Sequence, residues 1–454
     1  LVMYNSPQVT PLCRPFESTS STHKVLQFTT VGKCLWTVPA NVSAVDALVL
    51  GGGGAGGGSI GGGGGAGEFW TATALGATAG SQKEIIVGVG GYPRGGSSGT
   101  TGGSSAYDNI VIYGGGGGGA GGANSPTASG GPDGSKWYGS AGGGGWNNTS
   151  IYSTIDRSNV SGGLAYRNYA GIGSNGGCAT ANAGGGGGAG GFGIAGTTSS
   201  GGTGGAGRSS LITGTSVVYA AGGGGGINAV DPCVATGNPG SGGSSVAGSA
   251  GIKDANGNGV FDDPGNGSPA QANTGSGGGG GSNSSLGGAG GSGLVILSYA
   301  LPSQSALTLT STAATFGSTL ALTSSGGTGS GAVTYAVTSS GTAGCSINGT
   351  TLSVTSAGTC TVTATKASDG VYAVVSSSAT TVTVSRGLIA YESFNGMTTP
   401  VIGKSGTGST GLTGNWVSVT SKNDAGTTST TPQSVSSNNS AGELGRVYPA
   451  GVGF

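Results

Sequence analysis

The chain has 454 residues, of which 109 are glycine and only 7% are charged, and its formal net charge is zero. A neutral chain offers no basic surface to nucleic acid, and no apolar run approaches the ~20 residues that span a bilayer. We therefore expect no nucleic-acid partner and no membrane span, and the length suggests about three domains.

Residues 1–22 are predicted to form an extended N-terminal arm, because Pro7, Pro11 and Pro15 disfavour helix around them. The chain opens at Leu1 without an initiator methionine, which we interpret as a processed protein. Two arrangements of the arm are open. It either packs on its own domain or adds to a neighbouring subunit's sheet, and only the second arrangement makes a polymer.

Residues 23–300 are dominated by glycine runs that recur between Gly51 and Gly293. Such runs are either a flexible linker or a region where backbones pack at very close range. Apolar groups between the runs, the lack of charge and the strand-like segments 45–50 and 294–299 favour a folded domain. Glycine segments in a polyglycine II conformation have no internal hydrogen bonds, so they must pair laterally. The predicted fold class is all-β: a glycine-rich β domain with polyglycine II-like segments, followed by an Ig-like β-sandwich.

Two stretches carry a resemblance to a known family. The segment Phe28–Val42, which includes Trp36-Thr37-Val38-Pro39-Ala40, is followed by Leu48-Val49-Leu50 and four glycines. This order resembles the opening of bacterial and phage glycine-rich domains, and Ala272–Gly275 together with Gly293–Tyr299 resembles their ending. The resemblance covers residues 23 to 300. It implies a surface protein, a phage tail fibre or an adhesin, and not an enzyme.

One local constellation matches part of a calcium-binding loop. Asp254, Asn256, Asn258 and Asp262 place oxygen ligands at alternate positions around Gly259. The twelfth position is Gly265, where a bidentate glutamate would be expected. We favour an Asn/Gly turn cluster, with calcium as the alternative and no other cofactor expected.

Aromatic residues and glycosylation sequons mark candidate surface positions. If the aromatic residues of one loop-like region are exposed together they suggest sugar or receptor contact, and if buried they are core, which we favour. These residues are Trp137, Tyr138, Trp146 and Tyr152. Candidate glycan sites are Asn41, Asn148, Asn159, Asn266 and Asn348.

The six cysteines are an even number without a C-x-x-C pair, which favours disulfides over zinc. Cys345 and Cys360 are predicted to pair within one candidate hairpin. For the other four, three connectivities are open. Proximity in sequence alone favours Cys13 with Cys34 and Cys178 with Cys233.

Residues 301–386 change composition to Thr, Ser and Val with period-two alternation, which predicts about seven short strands in an antiparallel β-sandwich. The segments Gly344–Ile347 and Gly358–Ala367 resemble bacterial Ig-like surface repeats, which implies a role in spacing. Residues 387–454 contain Leu388–Asn395 and Thr410–Val417, which resemble the start of a laminin-G or concanavalin-like lectin sandwich. Because this segment is short, we expect it to continue beyond Phe454 or to pack on a neighbour.

No catalytic constellation is recognisable, because G-x-S-x-G and H-E-x-x-H are absent and His23 is the single histidine. We predict a non-enzymatic extracellular structural or adhesive protein, a subunit of a bacterial surface appendage or filament. Its partners would be copies of itself or other appendage subunits. The alternatives are a phage tail-fibre or adhesin receptor-binding protein and a carbohydrate-binding cell-surface protein, which would bind surface glycans. The predicted location is extracellular, on a cell surface or on a virion tail.

Overall fold

The computed structural model describes residues 10–121, 139–145, 164–166, 182–230, 233–234, 238–251, 265–283, 285–387, 421–422 and 428–429. Within these residues every regular element is a β-strand, which confirms the all-β class. The chain forms two compact units. Unit 1 comprises Leu1–Gln304, Thr328–Gly331 and Ala367–Val374, and unit 2 comprises Ser305–Gly327, Ala332–Lys366 and Val375–Phe454.

Unit 1 combines a six-stranded sheet, a four-stranded sheet and two small hairpins. Its strands are β1 (Phe16–Thr19), β2 (His23–Phe28), β3 (Gly32–Thr37), β4 (Ala44–Leu50), β5 (Phe69–Gly76), β6 (Gln82–Val87), β7 (Ser105–Tyr107), β8 (Ile110–Ile112), β9 (Leu164–Tyr166), β10 (Arg208–Ser210), β11 (Val217–Tyr219), β12 (Ala229–Val230), β13 (Cys233–Val234) and β14 (Leu294–Ala300). The larger sheet has the order β1-β2-β14-β4-β5-β9, and the smaller has the order β3-β6-β7-β8. Strands β4 and β14, which bracket the glycine runs, pair antiparallel at the centre of the larger sheet.

The two large sheets of unit 1 enclose an apolar core. Trp36 from β3 and Ile85 from β6 pack with Val49, Trp70 and Leu297 from the larger sheet. The opposite face of the larger sheet is also covered, because Leu48 and Ile296 belong to a second buried cluster with Ala189 and Tyr219. Burial on both faces explains why β4 and β14 are apolar at most positions, except Asp46 and Ser298, instead of alternating.

Beyond β4, the glycine segments form a lattice of hydrogen bonds with a period of three residues. In segment 51–59, consecutive N–H groups donate to three different neighbouring segments at 2.8–3.1 Å. Gly51, Gly54 and Gly57 donate to the carbonyls of residues 68, 65 and 62; Gly52, Ala55 and Gly58 to those of 103, 100 and 97; and Gly53, Gly56 and Ser59 to those of 291, 288 and 285. Three residues per turn is the repeat of a polyglycine II helix, so each turn bonds three neighbours.

The carbonyl groups of the same segment accept from three further neighbours. Gly115 and Gly118 donate to residues 52 and 55, Gly278 and Gly281 donate to residues 54 and 57, and Gly91 donates to residue 53. The lattice therefore pairs backbone with backbone, as lateral pairing of polyglycine segments requires. We call this array of glycine segments the glycine lattice.

The described part of the N-terminal arm pairs with its own unit. Strand β1 is antiparallel to β2, and the Cys13 N–H donates to the Leu35 carbonyl at 2.9 Å. A disulfide joins Cys13 to Cys34, with 4.9 Å between the Cα atoms. For residues 10–22 the structure thus has the first of the two arrangements considered, in which the arm packs on its own domain.

Unit 2 contains three sheets around a separate apolar core. Its strands are β15 (Leu307–Leu309), β16 (Ala313–Thr315), β17 (Leu320–Ala321), β18 (Ser324–Gly326), β19 (Val333–Ser339), β20 (Ser346–Asn348), β21 (Thr351–Ser353), β22 (Gly358–Lys366), β23 (Val375–Ser376), β24 (Thr380–Ser385), β25 (Ser421–Lys422) and β26 (Thr428–Ser429). One sheet has the order β16-β24-β22-β19 with β23 beside β22, and another has the order β17-β21-β20. Leu352, Val362 and Val382 are fully buried between them.

A disulfide joins Cys345 to Cys360 in unit 2, with 6.2 Å between the Cα atoms. Cys345 directly precedes β20, whereas Cys360 lies in β22 of the other sheet. The expectation that both cysteines lie in one hairpin is wrong, because the β20–β21 hairpin intervenes between them. The bond therefore crosslinks two sheets, and both sulfurs belong to residues that are almost fully buried.

Candidate functional site

The glycine lattice has one end at the large sheet and another end made of turns. We define the turn end as residues 58–61, 94–98, 197–200, 282–283 and 285. Hydrogen bonds connect three of these turns: Gly58 N–H donates to the Ser97 carbonyl at 3.1 Å, and Ser59 N–H donates to the Ser285 carbonyl at 2.9 Å. Segment 51–59 begins directly after β4 and continues away from the sheet to residue 59. The turn end is therefore remote from the sheet.

The turn after segment 51–58 uses two consecutive non-glycine residues in the left-handed region. Ser59 has φ 55° and Ile60 has φ 58°. Two successive positive φ values reverse a chain tightly, as the type I′ turn does in hairpins, but a β-branched residue rarely adopts them. Of the seven described non-glycine residues with positive φ, three lie at the turn end, namely Ser59, Ile60 and Asn283, and the other four lie elsewhere in unit 1.

An exposed group of side chains, the Tyr92 surface, lies beside these turns. We define it as Tyr92, Arg94 and Leu286; Tyr92 is 57% exposed and Leu286 is 41% exposed. The Arg94 Nη2 donates to the Tyr92 Oη at 2.9 Å, and its guanidinium carbon lies 5.4 Å from the centre of the ring. The Leu286 Cδ2 lies close to Gly95, so the three side chains border one turn.

Backbone hydrogen bonds hold the Tyr92 surface in place. The Tyr92 N–H donates to Thr100 Oγ1 at 2.8 Å, and the Leu286 N–H donates to Asn266 Oδ1 at 2.9 Å. An aromatic face beside a guanidinium can stack on an apolar surface and donate to oxygen acceptors. The arrangement is thus suited to binding a sugar or a polar protein surface.

Groups with shifted pKa values lie away from the turn end. Burial, together with the nearby Asp108 carboxylate, raises the pKa of Tyr107 to about 12. Burial, together with the Glu17 carboxylate, raises the pKa of Tyr299 to about 12. Both phenols belong to the core between the two large sheets, so the shifts have a structural origin.

Hydrogen bonds lower the pKa of Asp369 below its usual range. The largest contribution is the Ser330 N–H, which donates to Oδ2 at 2.7 Å, and the Tyr372 and Val371 N–H groups donate to Oδ1 at 2.8 Å and 3.0 Å. An ionised carboxylate that accepts several N–H bonds is stabilised in its charged form. Asp369 therefore organises two loops of unit 1.

The predicted site residues are described in part. Asn41, Asn266 and Asn348 are exposed, and Asn266 also accepts the hydrogen bond from Leu286. The remaining calls lie outside the described residues, or their side chains do: Asp254, Asn256, Asn258 and Asp262 of the calcium-like loop, the aromatic residues Trp137, Tyr138, Trp146 and Tyr152, the sequons Asn148 and Asn159, and the pair Cys178 and Cys233. The lectin-like segment, except for β25 and β26, also lies outside them.

Sequence reasoning missed Tyr92 and Arg94, although a signal was present. Tyr92 follows Val89 by three residues, and both are more than half exposed, at 57% and 56%. A three-residue spacing places side chains on one face of a polyglycine II helix, and Pro93 and Gly95 mark the turn that follows. A search for that spacing among the glycine segments would have identified this face.

Two other kinds of site are absent from the described residues. No group of three or more His, Cys, Asp or Glu residues in them could hold a metal ion. No helix in the described ranges is long and apolar enough to cross a bilayer.

Comparisons with known proteins address the glycine-rich part of the chain. The family model of the glycine-rich domain matches residues 29–300, which is more than half of the chain. No curated protein matches the chain.

Proposed function

Because this chain belongs to the glycine-rich domain family, we propose that it is a non-enzymatic extracellular adhesive protein whose glycine lattice presents a binding surface at its turn end. The observation that carries the proposal is the combination of a backbone-paired lattice with exposed turn residues, 94–97 and 197–199, at one end. A close-packed lattice deforms little, so it holds the Tyr92 surface away from the sheet in a fixed geometry.

The rest of the chain fits a role in spacing and attachment. Two disulfides among the described residues are consistent with an oxidising extracellular environment. In this proposal unit 2 is an Ig-like spacer, and residues 387–454 are the beginning of a lectin-like sandwich. The absence of catalytic motifs from the sequence supports the assignment as a non-enzyme.

Two settings suit such a protein. In one it is a phage tail-fibre or adhesin component that binds a receptor or a surface glycan through the turn end. In the other it is a subunit of a bacterial surface appendage. The edge of β19, which is unpaired among the described residues of unit 2, favours this second candidate. Adhesion and assembly use different surfaces, so one protein can do both.

The adhesion proposal is tested with the fluorescently labelled chain on a glycan array and on whole bacterial cells. Tyr92→Ala and Arg94→Ala should each weaken binding at least about tenfold, as expected for central aromatic and arginine contacts. Val111→Ala is the matched control, because Val111 is an exposed apolar residue on β8, at 41% exposure. Equal binding by all variants and the original chain would rule out the Tyr92 surface.

A further inference from the structure

Among the described residues of unit 2, no strand lies beside the outward edge of β19. β19 is the last strand in the order β16-β24-β22-β19, and its residues pair only with β22. An edge strand presents a row of free N–H and C=O groups, which can pair with another strand. In the described part of unit 2 no other segment occupies this edge.

The side chains of β19 that face the core are incompletely covered. Val333, Tyr335 and Val337 are only half-buried, whereas Val362 on the neighbouring β22 is fully buried. They line a groove of about 530 Å³ that Ile347 of β20 also borders. Apolar groups on the inner face of a sheet are normally covered, so the groove has the character of a place for one more strand.

The edge lacks most of the devices that keep sheet edges apart. Natural edges carry lysines, prolines or inward-pointing charges. The β19 sequence Val-Thr-Tyr-Ala-Val-Thr-Ser contains neither charge nor proline, although a bulge lies between Val337 and Ser339. The residues that line the groove are also uncharged. An uncharged edge meets an identical edge without electrostatic repulsion, so a second copy can approach this edge.

The sequence of β19 is also complementary to itself in antiparallel orientation. With a twofold axis at Ala336, Thr334 of one copy lies opposite Thr338 of the other, and Tyr335 lies opposite Val337. These two pairs each keep their own face of the sheet, whereas Val333 would lie opposite the exposed Ser339 beyond the bulge. Thr–Thr and aromatic–β-branched pairs are favourable cross-strand partners. Twofold symmetry is the commonest symmetry of homo-oligomers, and two identical antiparallel strands paired about one residue have it.

We propose that β19 is a homotypic docking edge, at which two copies of this chain pair antiparallel about Ala336 and join their sheets. This inference deepens the part of the proposed function in which the chain assembles with copies of itself, and it does not involve the turn end. Because one seven-residue strand pair buries less area than a standard interface of roughly 1,200–2,000 Å², the association should be weak and favoured by high local concentration.

The test is sedimentation velocity of the intact chain at concentrations up to about 1 mM, the range in which weak contacts are populated. The original chain should show reversible dimers. Ala336→Lys and Ala336→Glu each place like charges opposite one another across the twofold axis and should weaken dimerisation at least about tenfold. An equimolar mixture of the two variants should recover dimers, because opposite charges then face each other.

Thr383→Lys is the matched control, because Thr383 is exposed on β24 of the same sheet but lies between β16 and β22. It should dimerise like the original chain, and circular dichroism should show both lysine variants folded. A monomeric original chain, undiminished dimers of Ala336→Lys, or a mixture that stays monomeric would each overturn the proposal. Binding of dilute Ala336→Lys chain to the array or to cells tests adhesion separately, so failure of one proposal is distinguishable from failure of the other.

Discussion

Gly54 and Gly64 belong to neighbouring segments of the glycine lattice that approach so closely that a Cβ added to Gly64 would lie 2.1 Å from the Gly54 carbonyl oxygen. Both contacting groups are backbone, and Gly54 itself donates to the Gly65 carbonyl at 2.8 Å. Neither segment can move aside without breaking hydrogen bonds to its other neighbours. The absence of a side chain at such positions is therefore a requirement of the lattice.

Gly64→Ala should destabilise unit 1 by about 3 kcal/mol or more, because overpacking of rigid groups is costly. Chemical denaturation monitored by tryptophan fluorescence measures this change in the free energy of unfolding. Gly76→Ala is the control, because a Cβ at Gly76 meets nothing within 4 Å. If both variants unfolded at the same denaturant concentration, the close approach of the two backbones would be wrong.

Ser59→Gly should stabilise the chain by about 0.5–1 kcal/mol. Ser59 has φ 55°, a conformation that costs an L-residue about 1–2 kcal/mol, and glycine relieves that cost while losing more entropy on folding. The measurement is the shift in Tm. Ser59→Ala keeps a Cβ at the same φ and should leave Tm nearly unchanged, so a stabilisation equal to that of glycine would contradict the left-handed assignment.

Tyr107→Phe should stabilise unit 1 by about 1 kcal/mol, because the buried Tyr107 hydroxyl has no hydrogen-bond partner among the described residues. Differential scanning calorimetry of the intact chain measures the change. Tyr335→Phe is the comparison variant, because the Tyr335 hydroxyl lies 3.2 Å from Ser324 Oγ. It should be neutral or destabilising, and a loss of stability in Tyr107→Phe would show that its hydroxyl has a partner.

Alkaline pH should unfold the chain through Tyr107 and Tyr299, whose pKa values are both raised to about 12. An unfolded tyrosine titrates near about 10, so the folded state holds more protons between these values. The stabilisation is complete below about pH 10 and falls by up to about 1.4 kcal/mol per pH unit and per tyrosine as pH rises towards 12. Denaturant titrations across this range, with tyrosinate absorbance, measure the slope.

The double variant Tyr107→Phe with Tyr299→Phe lacks both titrating groups. Its stability should fall less steeply with pH over the same range. An identical slope in the double variant and the original chain would show that other groups cause the alkaline unfolding.

The strands were more predictable from sequence than the lattice. Val45–Leu50 and Leu294–Tyr299 are mostly apolar segments, which is typical of strands that are buried on both faces. They form adjacent antiparallel strands of the larger sheet. In unit 2, period-two alternation correctly marked Val333, Tyr335 and Val337 on one face of β19.

The partners within the lattice could not be predicted, because glycine runs are chemically interchangeable. Nothing in the sequence of Gly61–Gly65 distinguishes the Gly184 carbonyl, which accepts from Gly63, from the Gly278 carbonyl, which accepts from Gly64. The hydrogen-bond partner of each segment depends on where the chain enters and leaves that segment and on how flanking side chains such as Phe69 and Trp70 pack. These are features of the tertiary structure. The three-residue spacing of Val89 and Tyr92 marked a common face of one segment, but the exposure of that face depends on which segments surround it.

The glycine lattice also has a calorimetric consequence. Its contacts join peptide groups, so unfolding it exposes mainly polar backbone and little hydrocarbon. Exposure of apolar surface raises the heat capacity, whereas exposure of polar surface lowers it. The lattice should therefore contribute less heat-capacity change per residue than an ordinary core, which flattens the dependence of its stability on temperature. The free energy of unfolding of such a lattice should therefore change little when the temperature falls.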